Sequence, residues 1–177
     1  MRTSAFALLA AALVAVPAVH AQAKPEFGGS LGVALPMGDL GDVANTGWRA
    51  GALVQLKPAS LPVALRAEAN YSGFGGKSQR IGTITVDGGS TNVLDITGNA
   101  IYDFTNDAKA TTSFYAIGGA GVYNVSDGGG TNFGINAGAG VNFNLAGFKA
   151  FGEARFHNVF GDGGSLRFIP LTFGIRF

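Results

Sequence analysis

After residue 23 the chain falls into eight segments in which apolar side chains alternate with polar or small ones. Alternation with period two puts one set on each face of a β-strand. The first segment runs from about Phe27 to Leu35, with Phe27, Gly29, Leu31, Val33 and Leu35 on one face. The second, Trp48 to Leu56, groups Trp48, Ala50, Ala52, Val54 and Leu56. In the third, Val63 to Tyr71, the set Val63, Leu65, Ala67, Ala69 and Tyr71 opposes Arg66, Glu68 and Asn70. In the fourth, Asn92 to Phe104, Leu94, Ile96, Ala100, Tyr102 and Phe104 oppose Asp95, Thr97, Asn99 and Asp103. The fifth, Phe114 to Val125, has apolar or small residues on both faces, and Tyr115, Ile117 and Tyr123 are assigned to its apolar side. The sixth, Phe133 to Leu145, alternates most regularly: Phe133, Ile135, Ala137, Ala139, Val141, Phe143 and Leu145 against glycines and asparagines. The seventh, Phe148 to Phe156, carries Glu153 and Arg155 on its polar face. The eighth, Phe168 to Phe177, sets Leu171, Phe173, Ile175 and Phe177 against Thr172, Gly174 and Arg176.

The connectors alternate in character. Residues 37–47, 73–90, 126–132 and 158–166 are rich in Gly, Asp, Ser and Asn and read as long loops, the second with a short strand over Ile81 to Val86. Between them lie tighter turns at 57–62, 105–111 and 146–147. Long loops at one end and short turns at the other match the layout of a membrane barrel.

Alternation alone does not say which face is inside, because a soluble barrel turns its apolar face inward and a membrane barrel turns it outward. The polar face decides. It is built of small residues, which suit the narrow interior of an eight-stranded barrel. It also collects charges of both signs: Arg49, Arg66, Glu68, Asp95, Asp103, Glu153, Arg155 and Arg176. The apolar face of the second, third, fourth, sixth and eighth segments has no charge; one at the bilayer midplane would cost roughly 2–4 kcal/mol. Aromatic residues gather near strand ends, Trp48, Tyr71 and Phe133 at the loop end and Tyr102, Phe104, Phe143 and Phe177 at the turn end, as interfacial girdles do. The expectation is an all-β fold, an eight-stranded antiparallel up-and-down transmembrane β-barrel, its lumen plugged by an ion-pair network of those eight charges. On this reading Val141 faces lipid, and Asn142→Ser is nearly silent.

The whole pattern, ending on Leu171, Phe173, Ile175 and Phe177, resembles the small eight-stranded bacterial outer-membrane barrels of the OmpX, opacity-protein and OmpA transmembrane-domain type. The resemblance implies that these four residues form the signal read by periplasmic chaperones and the barrel-assembly machinery. It implies outer-membrane lipids as surroundings, a monomer, and a structural or surface-recognition role with an unknown ligand at the loops. A narrow pore for small solutes and a lipid-acting barrel enzyme are the alternatives. On this reading the chain is expected to carry no peptidoglycan-binding domain after Phe177, which would set aside one role of longer relatives.

The first 23 residues fit a secretory signal: Arg2, an apolar run from Ala5 to Val19, then small residues at cleavage spacing that end at Ala21 or Ala23. The run is too short to span a membrane. The barrel domain is then 24–177, exported to a bacterial outer membrane. With no cysteine there is no disulfide framework, thiolate metal site or lipid anchor on a Cys. Of 12 Lys and Arg, Arg2 lies in the leader, which leaves 11 against 11 Asp and Glu. That balance speaks against a nucleic-acid partner. No cofactor motif is present. The Asp-Gly-Gly repeats at Asp87, Asp127 and Asp162 do not follow a calcium-loop spacing and suit turns. His157, the one histidine after the leader, reads as a lumen-rim or loop-base residue and not a catalytic one, since Glu153 lies roughly 13 Å away along an extended strand.

Phe177 contributes one interfacial aromatic to the last strand and leaves the alternation of the others intact. Deleting it should cost the folded barrel about 1–3 kcal/mol and permit refolding in detergent, while assembly in cells falls sharply. Comparing surface-exposed protein in cells with refolding yield checks this; normal cellular assembly would make the ending an ordinary strand.

Overall fold

The computed structural model describes residues 24–81, 84–86, 88–105, 110–126, 128–145, 147–161 and 164–177, the side chains at 79–81 and 84–86 excepted. The expected leader and the three aspartates of the Asp-Gly-Gly repeats lie outside the described residues. The elements are β1 (Glu26–Met37), α1 (Asp39–Val43), β2 (Gly47–Leu56), β3 (Ala64–Phe74), β4 (Gln79–Ile81), β5 (Ile84–Val86), β6 (Thr91–Asp103), β7 (Thr112–Val125), β8 (Gly130–Leu145), β9 (Phe148–Gly161) and β10 (Gly164–Arg176).

Eight of these strands close an antiparallel barrel in the order β1-β10-β9-β8-β7-β6-β3-β2. Closure is made by β1 against β10, with Leu31 opposite Phe173 and Val33 opposite Leu171. Phe27 and Phe177 complete it by exchanging backbone hydrogen bonds at 3.1 and 2.9 Å. A closed wall leaves no ladder of unpaired amides facing hydrocarbon, where each would cost several kcal/mol. Large apolar side chains face out all round, Leu31, Trp48, Leu65, Leu94, Phe133 and Phe173 among them, while Arg49, Arg66, Glu68, Asp95, Glu153 and Arg155 are buried inside.

The fifth segment runs in the opposite register to the sequence-based assignment. Tyr115, Ile117 and Tyr123 point into the lumen, 1%, 3% and 0% exposed, and Phe114 faces out at 63%. The phenols decide it, because a buried hydroxyl needs a polar partner. Tyr115 donates to Glu153 Oε2 at 2.7 Å, and Tyr123 shares a 2.9 Å hydrogen bond with His157 Nδ1. Space decides it too. Tyr115 stands opposite Gly140 of β8, and a Cβ on Gly140 would overlap its ring. A Cβ on Gly134 would crowd the Tyr123 ring in the same way.

Two of the four expected long loops shrink. β7 and β8 stay paired to Val125 and Gly130, and β9 and β10 to Gly161 and Gly164. Phe133 and Phe160 stack across that extension, their centroids 6.3 Å apart. The Gly and Asp residues there need only a tight turn, so their density overstates loop length. The second loop holds a two-stranded hairpin, β4 with β5, in place of a single strand. The first loop holds α1, too short for a periodic signal, whose one buried residue is Leu40.

Two measurements check this register. Val141→Arg should destabilise the barrel in bilayers by roughly 2–4 kcal/mol. Cysteines placed singly at Ala116 and Ile117 should react unequally with a lipid-soluble maleimide, Ala116 readily and Ile117 not.

Candidate functional site: the barrel lumen

Strand alternation sends every second residue inward, so neighbours two apart share the lumen wall. On β3 these include Arg66 and Glu68; on β9, Glu153 and Arg155. The two strands stand on opposite sides of the closed barrel. Their charges meet across the lumen as an alternating ring. Arg66 pairs with Glu153 at 2.9 Å and with Glu68 at 3.3 Å. Arg155 pairs with Glu68 and with Glu153, each at 2.6 Å. Further hydrogen bonds hold the ring in place: Arg66 Nε donates to Gln55 at 3.0 Å, Asn99 donates to Glu68 at 3.2 Å, and Tyr115 donates to Glu153. The Arg66 guanidinium also lies 4.9 Å from the Phe151 ring centroid. A ring of two cations and two carboxylates is neutral. It leaves no buried charge uncompensated, a condition whose breach costs about 3–5 kcal/mol.

Nearer the loop end, Arg49 holds Asp95 through two nitrogens at 2.7 and 3.0 Å. Ser72 accepts from Arg49 at 2.7 Å, and Asn70 donates to Asp95 at 3.2 Å. His157 is 0% exposed, its ring turned into the lumen on the loop-end part of β9. Its ring stacks on Phe168 with centroids 4.8 Å apart. Above it an apolar cap of Ala34, Leu40, Ala44, Phe74, Val93, Tyr123, Val159 and Phe168 fills the loop end. Leu40 reaches this cap from α1.

The remaining two predicted lumen charges lie at the turn end. Asp103 accepts from the Thr105 amide and the Ser113 hydroxyl, both at 2.8 Å. Arg176 donates to Asn142 Oδ1 at 2.6 Å, makes a longer 3.4 Å contact with Glu26, and lies 5.6 Å from the Phe151 centroid. The eight charges therefore occupy three places: a ring, a pair and the turn-end mouth. Asn142 also donates to Ser113 at 3.2 Å, so the expectation of a near-silent Asn142→Ser does not fit its two buried bonds.

The predicted rim aromatics stand on the outer face. At the loop end Trp48 packs against Tyr71 at 5.4 Å and Phe133 against Phe160. At the turn end Tyr102 packs against Phe104 at 5.4 Å and Phe177 against Phe148 at 6.5 Å, with Phe143 exposed beside them. Leu171, Phe173 and Ile175 lie exposed on the outer face of β10. Sequence reasoning missed the inward aromatics Phe74, Phe151 and Phe168. The signal that could have found one of them is a glycine facing the ring: Phe151 stands opposite Gly174, where a Cβ would overlap it. Among the described residues no three His, Asp or Glu side chains gather as metal ligands.

Removing single lumen hydrogen bonds should be measurable. Tyr115→Phe and Asn142→Ser should each lower unfolding free energy in vesicles by about 1–3 kcal/mol, read from urea titration. No change at Tyr115→Phe would contradict the inward register of β7.

Comparison with known proteins bears on this geometry. The family model described as "Outer membrane protein beta-barrel domain" matches residues 6–177. The fold is similar to the crystal structure of Neisserial surface protein A, NspA, with TM-score 0.64 and 18% identity over 87% of this chain and 97% of that one. It is similar to the outer membrane enzyme PagL, with TM-score 0.58 and 17% identity over 84% of this chain and 97% of that one. It is similar also to the Yersinia pestis outer membrane protein Ail in a phospholipid nanodisc, with TM-score 0.50 and 16% identity over 87% and 100%. At these identities the likeness concerns the fold. No curated protein matches the chain. A closed eight-stranded wall with an apolar exterior and a charge-filled lumen, matched along nearly its whole length by that family, makes this chain a member of the outer membrane β-barrel family.

Proposed function

We propose that this is a non-enzymatic outer-membrane barrel whose role is structural or one of recognition at its loop end. The loops face the cell exterior and both chain ends face the periplasm. One observation carries the reading: an ordered platform roofs a lumen that is closed across its middle and its loop end. The first and second loops are bound to each other by Asn45 N to Gly75 O at 2.7 Å, Lys77 N to Val43 O at 2.8 Å and Asn45 Nδ2 to Gly76 O at 3.0 Å. Lys77 Nζ also donates to Gly41 O, and Ala44 bridges to Gly76. A surface held in one shape loses little entropy when a ligand binds. α1 presents Asp39, Asp42 and Val43 outward from it.

The two alternatives have less support. A pore would need a path past the Arg66–Glu68–Arg155–Glu153 ring and then the apolar cap. A lipid-acting enzyme would need its base on the membrane side of the wall, and His157 is enclosed with Tyr123 and Phe168. The similar structures include one named a surface protein and one named an enzyme, and the enclosed histidine favours the former kind of role here. The surrounding lipids, the periplasmic chaperones and the assembly machinery are its proposed partners, and a monomer its proposed state.

The purified protein should give no stable single-channel current in planar bilayers. Cells that display it should bind members of a panel of soluble proteins and glycans, and should lose that binding when residues 39–43 are replaced by a Gly-Ser segment of equal length. Large steady currents would replace this reading with the pore.

A further inference from the structure

The lumen is not filled at its turn end. There a cavity of about 940 Å³ opens, and its lining divides by chemistry. Ala64, Ile101 and Leu61 line one side, and Ala64 and Ile101 belong to an apolar cluster that continues inward. The rest of the lining mixes polar and further apolar side chains with six charged ones, Lys24, Lys57, Lys149 and Arg176 against Glu26 and Asp103. Among the charged side chains of the described residues that line it, cations exceed carboxylates, four to two. The carboxylates are also already engaged. Glu26 is shared between Lys149 at 2.5 Å and Arg176 at 3.4 Å, and Asp103 is taken up by Ser113 and Thr105. Among the described residues Lys24 and Lys57 form no ion pair within 4.0 Å.

Arg176 is the unusual member. It is 2% exposed, yet its Nε has no hydrogen-bond partner. Its Glu26 contact is longer than an ordinary charge-assisted bond of about 2.7–2.9 Å. The Phe151 ring lies between it and Arg66, 5.6 Å from the Arg176 guanidinium and 4.9 Å from that of Arg66. A buried guanidinium with unused donors at the end of a dead-end cavity is a seat for an anion, because its fork matches a carboxylate or phosphate. The cavity volume lies in the range of small-molecule pockets, about 300–1,000 Å³, well beyond what one water fills.

We infer that this vestibule binds an amphiphilic anion, a carboxylate or phosphate on a short apolar body, with Arg176 and the lysines holding the head and the Ala64–Ile101 wall holding the body. On the orientation proposed above, the ligand enters from the periplasm. The site itself depends only on the lumen geometry, and binding can be tested whichever way the barrel faces.

The test uses the purified protein folded in dodecyl maltoside, whose headgroup is neutral. It is titrated with hexyl phosphate, hexanoate, inorganic phosphate and hexanol while backbone amide NMR shifts are followed. Saturable shifts are expected at Glu26, Ser113 and Asn142 with hexyl phosphate or hexanoate, weaker ones with inorganic phosphate, and none with hexanol. The stronger of the two hexyl ligands identifies the preferred head. Arg176→Gln should weaken binding about ten-fold or more, as expected for loss of a charged hydrogen-bonding partner, and Arg167→Gln at the loop end should not. Hexanol binding as well as hexanoate would overturn the proposal. Inorganic phosphate matching hexyl phosphate would overturn the apolar part. Should Arg176→Gln fail to fold, the double variant Lys24→Gln/Lys57→Gln must weaken hexyl phosphate binding, and an unchanged affinity would overturn it equally.

Discussion

Arg66, Glu68, Glu153 and Arg155 hold one another across the full width of the barrel, from opposite walls. The rest of the structure follows from the constraint behind that ring. A side chain on the outer face meets hydrocarbon, so each charge within the span must point inward. An inward charge in an eight-stranded barrel meets the opposite wall, because the interior is only as wide as two side chains. Charges of both signs must therefore face each other at matching heights. Their neutrality allows the lumen above its turn-end mouth, where Arg176 sits, to carry six strongly buried charges, counting Arg49 and Asp95, with little left uncompensated. Removing any single member would leave its partners buried and unpaired.

The filling is graded along the axis. Apolar side chains and α1 seal the loop end, charges cross the middle, and the lumen opens to a vestibule at the turn end. Glycines set the grading as much as the charges do. Three of the inward rings lie against a glycine: Tyr115 on Gly140, Tyr123 on Gly134 and Phe151 on Gly174. The small residues of the polar face are thus seats for specific rings. A sealed middle under a braced loop platform is the rigid support that the proposed recognition role calls for, and the open end is where the proposed ligand would bind.

Most of the wall was legible in the sequence. The strands with charges or asparagines on one face, β3, β6, β8 and β10, could be oriented because a polar face and an apolar face differ plainly. β7 could not, since alanine and glycine share both of its faces and tyrosine suits either side of an interface. Its true register was written on β8, in the glycines that face Tyr115 and Tyr123. Loop lengths were overestimated because Gly and Asp mark tight turns as strongly as long ones. Least legible was the site. Arg66 with Glu68 and Glu153 with Arg155 could be seen to share faces, but their meeting depends on barrel closure, which sets strands distant in sequence opposite each other at one height. His157 likewise found its partner Tyr123 two strands away, across β8, and not on its own strand.

The most direct test of the cross-lumen ring is the unfolding free energy, in lipid vesicles, of Glu153→Gln compared with a variant in which Arg66, Glu68, Glu153 and Arg155 are all replaced by apolar residues of similar volume. The single change should cost about 3–5 kcal/mol, and the fourfold change should recover most of that loss, because it removes the charges together. A single change no larger than a surface substitution, or a fourfold change that costs several times more than the single one, would contradict the account.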